Sequence, residues 1–500
     1  MRRSHATGLK VWACSAGLLF TTACTVGPRY NRPLTPMTPA FKELPPGNDQ
    51  WKTSTPRDGE IKGKWWEMFN DPQLNSIEEQ VAISNQNVKQ AEATFRQAQA
   101  LVAANRANYF PTIGVTPATS TTGTGERLSN SGGSRTAGVS TIFNVPFGAT
   151  WAPDLWGRVR LAVENATDLA QASAGDLENA KLLYQTEVAN DYFQLIATDM
   201  QEKLLDDTLT AYQKALELTI NRFNGGIASK ADVAQAKTQV DTTRAERTDL
   251  EVTRAQLEHA VAMLIGQPPA NLSIPVGNIK NPPPPVPVGL PSQLLERRPD
   301  IAANERRVAA LNAEIGLAEA AYYPTLTLSA SGGVESTAIT TLFRWPSRLW
   351  TVGPSLSQTL FDFGRRRAQV MQSEAAYDAS VASYRQSVLT AFQEVEDNLA
   401  ALHVLEVEAA QEDEAVKSAE QSVTLELERY KGGVDSYLNV ITTQTIALTD
   451  ERAAVTILQR RMVAAVNLIT ALGGGWNAAN LPNSEQIHKG GPGGTPIAKN

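Results

Sequence analysis

The sequence has little of what metal centres and disulfides require. It contains two cysteines, Cys14 and Cys24, and four histidines. Because both cysteines lie within the first 24 residues, the rest of the chain offers no disulfide and no thiolate metal ligand. Two histidines lie near the ends, which leaves only His259 and His403 for a folded site. We therefore expect no metal site.

Basic runs and catalytic motifs are also missing. The net charge is −7, and no basic run longer than the three arginines at 365–367 interrupts the sequence, so nucleic acid is not an expected partner. The patterns GxSxG, HExxH, CxxC and the Walker A phosphate loop do not occur, so we expect no enzyme activity. Hydrophobic residues make up 42% of the chain, enough for a large core, which excludes wholesale disorder.

The first 23 residues have the order of an export signal. Basic residues precede an apolar stretch from Val11 to Phe20, and small residues follow before Cys24. This order predicts a signal peptide, since the apolar stretch is too short to cross a bilayer. The segment Thr21–Cys24 resembles the bacterial lipobox, which implies a covalent lipid on Cys24 and no other cofactor. Ordinary cleavage that leaves Cys24 as a free thiol is the alternative. The residue after Cys24 is Thr25 and not an aspartate, which would resemble an inner-membrane retention signal, so sorting to the outer membrane is permitted.

One unit is repeated along the chain. At an offset of 213, Tyr109–Thr112 falls on Tyr322–Thr325, and at an offset of 207, Gly225–Ile227 falls on Gly432–Val434. Rare residues matched at a constant offset indicate an internal repeat. The predicted organisation is a signal peptide (1–23), an acylated extended N-terminal segment (24–72), a first repeat (73–266), a Pro-rich connector (267–293), a second repeat (294–473) and a flexible Gly/Pro tail (474–500).

Each copy reads as helix, hairpin, helix, turn, helix. No proline occurs from Arg158 to Phe223, which predicts one helix of roughly 100 Å at 1.5 Å per residue. Apolar residues recur at three-and-four spacing from Leu205 to Phe223 and in the returning helix, so side-by-side packing of coiled-coil type is expected. An elongated helical bundle with no special function is the alternative.

The segments between these helices alternate polar and apolar residues. Thr325–Ser331 and Phe143–Trp151 have this period of two, which predicts strands with one apolar face. Each copy supplies two strands, and four strands from one chain cannot close a membrane barrel, whereas three chains would supply twelve. Aromatic residues that suit an interfacial belt lie near the strand ends: Tyr109, Phe110, Trp151, Trp156, Tyr322, Tyr323, Trp345, Trp350, Phe361 and Phe363.

Several motifs carry a family resemblance. They are CTVGPRYNRP after the cleavage site, WWEMFNDPQL, LLERRPDI, YYPTLTL, the paired RFNGGIAS and RYKGGVDS, and the terminal ALGGGW. In this order they resemble the outer-membrane lipoproteins of resistance-nodulation-division efflux systems, the NodT branch of the TolC family, over essentially residues 24–476.

The resemblance implies a fold, a function and partners. The fold is an α+β membrane protein: very long helices plus four strands, which form a homotrimeric β-barrel continuous with an α-helical barrel. The function is a passive exit duct of the bacterial outer membrane that reaches into the periplasm. Its partners are a periplasmic adaptor, an inner-membrane proton-driven pump and outer-membrane lipid. The alternative is an exported helical structural lipoprotein that does not conduct.

The two Gly-Gly turns join long helices to their returns. Paired glycines suit a tight reversal and a helix cap, and Ser229 with Asp232 fits a capping box. In the resembled family these turns form the periplasmic tip, where the pore narrows and the adaptor binds. The tip residues are Gly225, Gly226, Ser229, Gly432, Gly433 and Ser436. Taken singly, they also fit a purely structural role in turns and caps.

Asp435 is the main candidate for a constriction. It stands where the first copy has Ala228, so the turn itself does not require a carboxylate. Three-fold symmetry would place three such carboxylates in a ring that attracts cations, and the resembled family has its constriction at this position. Arg429 or Tyr430 is the expected partner in a closed tip, and a solvated turn aspartate is the alternative. Arg254 and Arg461 are expected to form ion pairs rather than select ions.

Overall fold

The computed structural model describes residues 26–43 apart from 37 and 39, and residues 63–123, 139–287 and 291–489. The signal peptide and Cys24 lie outside these residues. The α-helices are α1 (Pro72–Ser84), α2 (Gln86–Ala107), α3 (Arg158–Asn224), α4 (Lys230–Leu264), α5 (Leu294–Arg297), α6 (Pro299–Ala320), α7 (Arg365–Lys431), α8 (Tyr437–Ala471) and α9 (Ser484–Lys489). The strands are β1 (Thr112–Val115), β2 (Ala118–Gly123), β3 (Val139–Trp151), β4 (Thr325–Ser336) and β5 (Arg348–Ser357).

The helices confirm the internal repeat. The long helices α3 and α7 have 67 residues each, their returns α4 and α8 have 35 each, and α2 and α6 have 22 each. The repeat extends to single contacts. Gly266 and Gly473 have positive φ angles. A Cβ on Gly266 would overlap the carbonyl oxygen of Ser84, and a Cβ on Gly473 would overlap that of Arg297. These four residues match at the two offsets of the sequence repeat.

The long helices pack side by side along the predicted apolar seam. Leu205 and Tyr212 of α3 and Ala236 and Val240 of α4 are buried. In the second copy, the returning helix α8 buries the predicted seam residues Val440, Ala447, Ile457, Ala464 and Leu468. Phe223 departs from the prediction because 41% of it is exposed; it lies in the last turn of α3, where the neighbouring hairpin does not cover it. The coiled-coil pattern therefore holds for the shafts and ends before the tip.

The strands form one antiparallel sheet in the order β1/β2, β3, β4, β5. Five strands replace the predicted four, because β1 and β2 both pair with β3 in a single register. The interruption falls at Thr116 and Pro117, opposite Pro146. A proline has no amide hydrogen for the ladder, so one continuous edge is divided into two strands. The sheet thus has four strand positions.

The two faces of the sheet differ in polarity, as the period of two predicts. Phe147, Ala149 and Trp151 of β3 pair with Gly332, Ala330 and Leu328 of β4. These three β4 residues pair in turn with Trp350, Val352 and Pro354 of β5. The opposite face carries Thr327, Ser329 and Ser331 paired with Ser355, Gly353 and Thr351. The apolar face is open: Trp350 is 80% exposed and Val352 68%. No helix in the described ranges is long and apolar enough to cross a membrane.

Aromatic residues gather where the sheet meets the helices. Trp156 stacks on Tyr323 with ring centroids 5.0 Å apart, and its Nε1 donates to the Pro324 carbonyl oxygen at 2.8 Å. Phe361 and Phe363 meet edge to face at 4.5 Å and are largely exposed. Together they mark a band of exposed aromatic side chains at the helix end of the sheet.

Ordered contacts hold the connector against the helices. Asp199 of α3 accepts hydrogen bonds from Arg254 Nε at 2.7 Å and from the Gly277 amide at 2.9 Å. Arg254 also donates to the Ile274 carbonyl oxygen at 2.7 Å, so the prediction of an ion pair is confirmed for Arg254. It is wrong for Arg461, which forms no ion pair with a described residue and whose Nε is buried without a partner.

The N-terminal segment lies along the helices for the length that is described. The Val26 amide donates to the Trp156 carbonyl oxygen at 3.5 Å, and the Tyr30 hydroxyl donates to Glu305 of α6 at 2.5 Å. Burial and the Glu305 carboxylate raise the pKa of Tyr30. The predicted extended form does not hold throughout 24–72, because Trp65–Phe69 forms a 3-10 helix that buries both tryptophans in the core.

The predicted tail is partly folded. Between 474 and 489 the chain forms a 3-10 turn, Ala478–Asn480, and the helix α9. Ile487 is fully buried in a cluster with Val102 and Ala170. An apolar side chain that finds a groove between α2 and α3 gains enough burial to order a short helix, which the Gly/Pro-rich composition did not predict.

Candidate functional site

The tip consists of the two turns at the far ends of α3 and α7. In the first turn, Gly226 has φ +76 and its amide donates to the Phe223 carbonyl oxygen at 2.9 Å, while the Ile227 amide donates to that of Arg222 at 2.9 Å. Gly433 makes the equivalent contacts in the second turn. This is the Schellman motif, in which a left-handed glycine ends a helix. The second glycine of each pair is the one that the backbone requires.

The first turn contains the predicted capping box. The Asp232 carboxylate accepts from the Ser229 amide at 2.8 Å, and the Ser229 hydroxyl accepts from the Asp232 amide at 3.1 Å. Two amides at the start of α4, which no helical carbonyl reaches, are thereby satisfied. Ser229 and Asp232 therefore fix the start of the returning helix.

The second turn is capped differently. Ser436 precedes α8, but its side chain makes no capping hydrogen bond, which corrects its predicted role as a side-chain cap. The residue equivalent to Asp232 is Asn439, so the reciprocal carboxylate is missing. The Asp435 carboxylate takes its place: it accepts from the Ser436 amide at 2.7 Å and from the Asn439 side chain at 2.6 Å.

Asp435 also forms an ion pair within its own hairpin. Arg429 Nη2 lies 3.0 Å from Asp435 Oδ2. The hydrogen bond from the Ser436 amide lowers the pKa of Asp435, and the Asn439 side chain and the Arg429 guanidinium act in the same direction. A carboxylate held in this way stays ionised near neutral pH. The predicted pairing with Arg429 is thus present, although Arg429 belongs to the helix that leads into the turn and not to a neighbouring helix.

Tyr430 has a different place from the predicted one. It is buried, and its hydroxyl donates to Thr219 Oγ1 of α3 at 3.3 Å, so within the chain it is not a partner of Asp435. Arg222 lies across its ring at 4.5 Å from the centroid, and Nη1 of Arg222 donates to the carbonyl oxygens of Tyr430 at 2.7 Å and Lys431 at 3.1 Å. Arg222 therefore caps the end of α7 from the neighbouring hairpin.

A small apolar cluster joins the two hairpins behind this contact. Tyr430 and Tyr437 pack at 5.3 Å between ring centroids, with Ala215, Ala236 and Val440 around them. Burial raises the pKa of the Tyr437 hydroxyl to about 12, so it stays neutral. The cluster holds the hairpins together near the tip.

Sequence reasoning missed Arg222 and Thr219. Arg222 is the repeat equivalent of Arg429, and each arginine precedes an aromatic residue and a glycine pair. This recurrence in both repeats was the sequence signal that could have pointed to Arg222. Only one of the two arginines contacts the neighbouring hairpin, because Tyr430 is buried between the hairpins while its equivalent Phe223 is exposed.

The charged side chains of the tip contact one another and the backbone. Among the described residues, no group of three or more histidine, cysteine, aspartate or glutamate side chains could hold a metal ion. Its charged groups are engaged in caps, an ion pair and inter-hairpin hydrogen bonds.

Comparison with known proteins identifies the architecture. The outer membrane efflux protein family matches residues 78–267 and 290–474, which are most of the two repeats. The chain belongs to the outer membrane efflux protein family. It is 30% identical over 473 residues to the probable efflux pump outer membrane protein TtgC of Pseudomonas putida, covering 93% of this chain and 96% of TtgC.

Solved structures of family members have the same fold. The outer-membrane channel OprN superposes with a TM-score of 0.82 at 28% identity, over 91% of this chain and 100% of OprN. The open state of the MtrE outer membrane channel of Neisseria gonorrhoeae superposes with a TM-score of 0.77 at 26% identity, over 91% of this chain and 99% of MtrE. This chain is thus an outer-membrane efflux duct, and the predicted family and location are confirmed. The family is one of channels and not of enzymes.

Proposed function

We propose that three copies of this chain form one continuous passage, a β-barrel in the outer membrane joined to an α-helical barrel in the periplasm. The observation that carries the proposal is the sheet. Its apolar face is open, and in the described part of the chain the edges β1/β2 and β5 have no further strand beside them. Lipid cannot satisfy free strand edges, so the sheet must close with other copies.

The strand count supports a trimer. Each chain has four strand positions, since β1 and β2 share one, and three chains supply twelve. Bacterial single-chain barrels have even numbers of strands from eight upward. The helices α3 and α7 start shortly after β3 and β5, so closure of the sheet would bring the long helices of three chains into a ring as well.

A lipid on Cys24 fits the course of the N-terminal segment. Val26, two residues later, contacts Trp156 at the helix end of the sheet, and Asn312 Nδ2 donates to the Pro28 carbonyl oxygen at 3.0 Å. The segment is therefore held next to the exposed aromatic band. In this arrangement the acyl chains of Cys24 would enter the periplasmic leaflet beside Trp156, and the lipid would add to a membrane attachment that the barrel already provides.

The tip provides the gate in this proposal. Three Asp435 carboxylates around one axis would form a cation-attracting ring, and each has an arginine of its own hairpin to offset repulsion. The contact between Arg222 and Tyr430 would hold the two hairpins of each chain in the closed arrangement. Opening would separate these hairpins without breaking any covalent bond.

The tip turns are also where a periplasmic adaptor would bind. Ile227 and Val434 stand on the turns and are 71% and 74% exposed, so each hairpin ends in an apolar side chain beside its glycines. Efflux proteins of this family work in tripartite systems, so an inner-membrane proton-driven pump would supply the cargo through that adaptor. The duct itself conducts passively.

Oligomeric state and conductance test the proposal. The purified full chain in detergent should run as a heat-labile trimer and conduct in a planar bilayer. A monomer that is soluble in plain buffer would contradict the duct. A trimer that never conducts would favour the alternative of an exported structural lipoprotein.

A further inference from the structure

The β4–β5 loop, residues 337–347, presents an exposed apolar surface at the end of the sheet away from the helices. This position follows because β4 begins just after α6 and β5 ends just before α7. Ile339, Phe343 and Trp345 are 65%, 78% and 74% exposed. In the proposed duct, whose helices reach into the periplasm, this end of the sheet faces the cell exterior.

The loop is held in shape by its own hydrogen bonds. The Ser336 and Thr341 hydroxyls lie 2.6 Å apart, and Ser347 Oγ donates to the Thr341 carbonyl oxygen at 2.8 Å. Leu342 is buried beneath the loop. The aromatic side chains are therefore exposed by a folded loop and are pre-positioned, which lowers the entropic cost of binding.

Two arginines accompany these side chains. The Arg348 guanidinium lies 3.8 Å from the centroid of the Trp345 ring, a cation–π contact that orients the charge. Arg344 precedes Trp345 in the same loop. No ion pair joins either arginine to a described residue. From 336 to 361 the sequence has no aspartate or glutamate, and the preceding Glu335 lies on the face of β4 opposite to Val334, the partner of Arg348. The described residues of this loop therefore give the surface a positive charge.

The same arginine stands at the end of the apolar face of the sheet. Arg348 pairs with Val334, and the following residues of β5 on this face are Trp350, Val352 and Leu356, all largely exposed. A column of apolar side chains that ends in an aromatic residue and a guanidinium matches the profile of a lipid, acyl chain first and charged headgroup above. Guanidinium groups bind phosphate through two parallel hydrogen bonds.

We propose that Arg344, Trp345 and Arg348 form a binding surface for the phosphate-bearing headgroups of lipids in the outer leaflet. The guanidinium groups contact the phosphates, and Ile339, Phe343 and Trp345 lie at the boundary with the acyl chains. The assignment rests on the proposed duct, in which the apolar face meets lipid. Both arginines are exposed, an arrangement that suits a headgroup layer better than a free anion, which needs an enclosing cradle.

The test compares lipids that differ only in phosphate. The full-length protein, purified in detergent, is titrated with lipid A that carries two phosphates and with the dephosphorylated form, and binding is followed by native mass spectrometry. Each arginine near a charged lipid surface contributes roughly fivefold, so R344Q/R348Q should bind phosphorylated lipid A about 25-fold more weakly. It should bind the dephosphorylated form like the parent.

A matched control and a charge-preserving variant sharpen the result. K89Q/R96Q removes the same charge from an exposed part of α2 and should leave binding unchanged. W345A retains both arginines and should weaken binding of both lipid forms, the phosphorylated form more, because Arg348 loses the ring that orients it. If R344Q/R348Q binds phosphorylated lipid A like the parent, the surface is not a phosphate site. Competition by inorganic phosphate at equal concentration would assign the site to free anions instead.

The experiment distinguishes a wrong lipid-surface proposal from a wrong duct proposal. Trimer formation and bilayer conductance are measured on the same preparations. A conducting trimer whose R344Q/R348Q variant has unchanged lipid binding contradicts the lipid surface alone. A parent protein that forms no trimer contradicts the duct.

Discussion

The guanidinium of Arg222 lies over the ring of Tyr430, 4.5 Å from its centroid, and donates to the carbonyl oxygen of the same residue at 2.7 Å. One side chain of the first hairpin thereby engages both the aromatic ring and the helix end of the second. This contact joins the two repeats at the point where the proposed pore is narrowest.

Replacement of Arg222 by glutamine should loosen the tip. The variant loses the cation–π contact and the charged cap of α7, together about 1 to 2 kcal/mol at a half-buried site. We expect faster amide hydrogen exchange at the end of α7 and higher bilayer conductance. Arg244→Gln is the matched control, since Arg244 is exposed on α4 and pairs with Asp241 of its own helix. Equal exchange in both variants would show that Arg222 does not join the hairpins.

Replacement of Asp435 by alanine should change ion selectivity. It removes the carboxylate ring and the partner of Arg429, so we expect higher conductance and weaker cation preference in planar bilayers. Divalent ions on the periplasmic side should then have less effect. Conductance equal to the parent at all salt concentrations would mean that Asp435 is a solvated turn residue.

The same carboxylate gives a pH prediction. The pKa of Asp435 is lowered from its ordinary value of 3.8. A lowered carboxyl pKa stabilises the folded tip above the ordinary value, and this contribution is lost as the pH falls through the lower folded pKa. The difference between the parent and Asp435→Asn should therefore be the same at pH 7 and pH 5 and shrink only below about pH 4. Conductance measured across this range checks it, and a change already present at pH 5 would contradict it.

Asp232 should matter for stability more than for conduction. Asp232→Ala removes one half of the capping box at the start of α4, which should cost on the order of 1 kcal/mol. Denaturant unfolding of the trimer measures the loss, and bilayer conductance should stay close to that of the parent. A large conductance change would place Asp232 in the gate.

An arginine on each face of β4 tests the orientation of the sheet. Leu328 lies on the apolar face and Thr327 on the polar one, so Leu328→Arg should cost about 2 to 4 kcal/mol near mid-membrane and impair assembly. Thr327→Arg should be tolerated, because its side chain would face the lumen. Trimer yield after membrane extraction is the measurement, and equal losses would reverse or abolish the assignment of faces.

Cys24 should carry lipid. Mass spectrometry of the mature N-terminus should show an acylated Cys24, and Cys24→Ser should lower membrane retention while the trimer remains, because barrel burial outweighs the attachment that acyl chains add. A mature N-terminus at an unmodified residue other than Cys24 would refute this prediction.

The sequence alone determined the repeat and the local structure. Constant offsets, uninterrupted helical periodicity and strands of period two predicted the order of elements, and the glycine pairs with Ser229 and Asp232 predicted the turn and capping contacts. Those features depend on residues a few positions apart, so local propensity and spacing suffice to predict them. The division of one strand at Thr116 and Pro117, where Thr116 lies opposite Pro146, depends on the same kind of local signal but was not predicted.

Only the tertiary structure decided which residues at equivalent positions of the two repeats make different contacts. Arg222 and Arg429 have the same local sequence setting, yet one caps the neighbouring hairpin and the other pairs with Asp435. The choice depends on which aromatic residue, Tyr430 or Phe223, is buried between hairpins some 200 residues apart in sequence. Burial of Ile487 ordered the tail for a similar reason. Such contacts are set by the packing of distant helices against one another, and the period of a single helix contains no information about them.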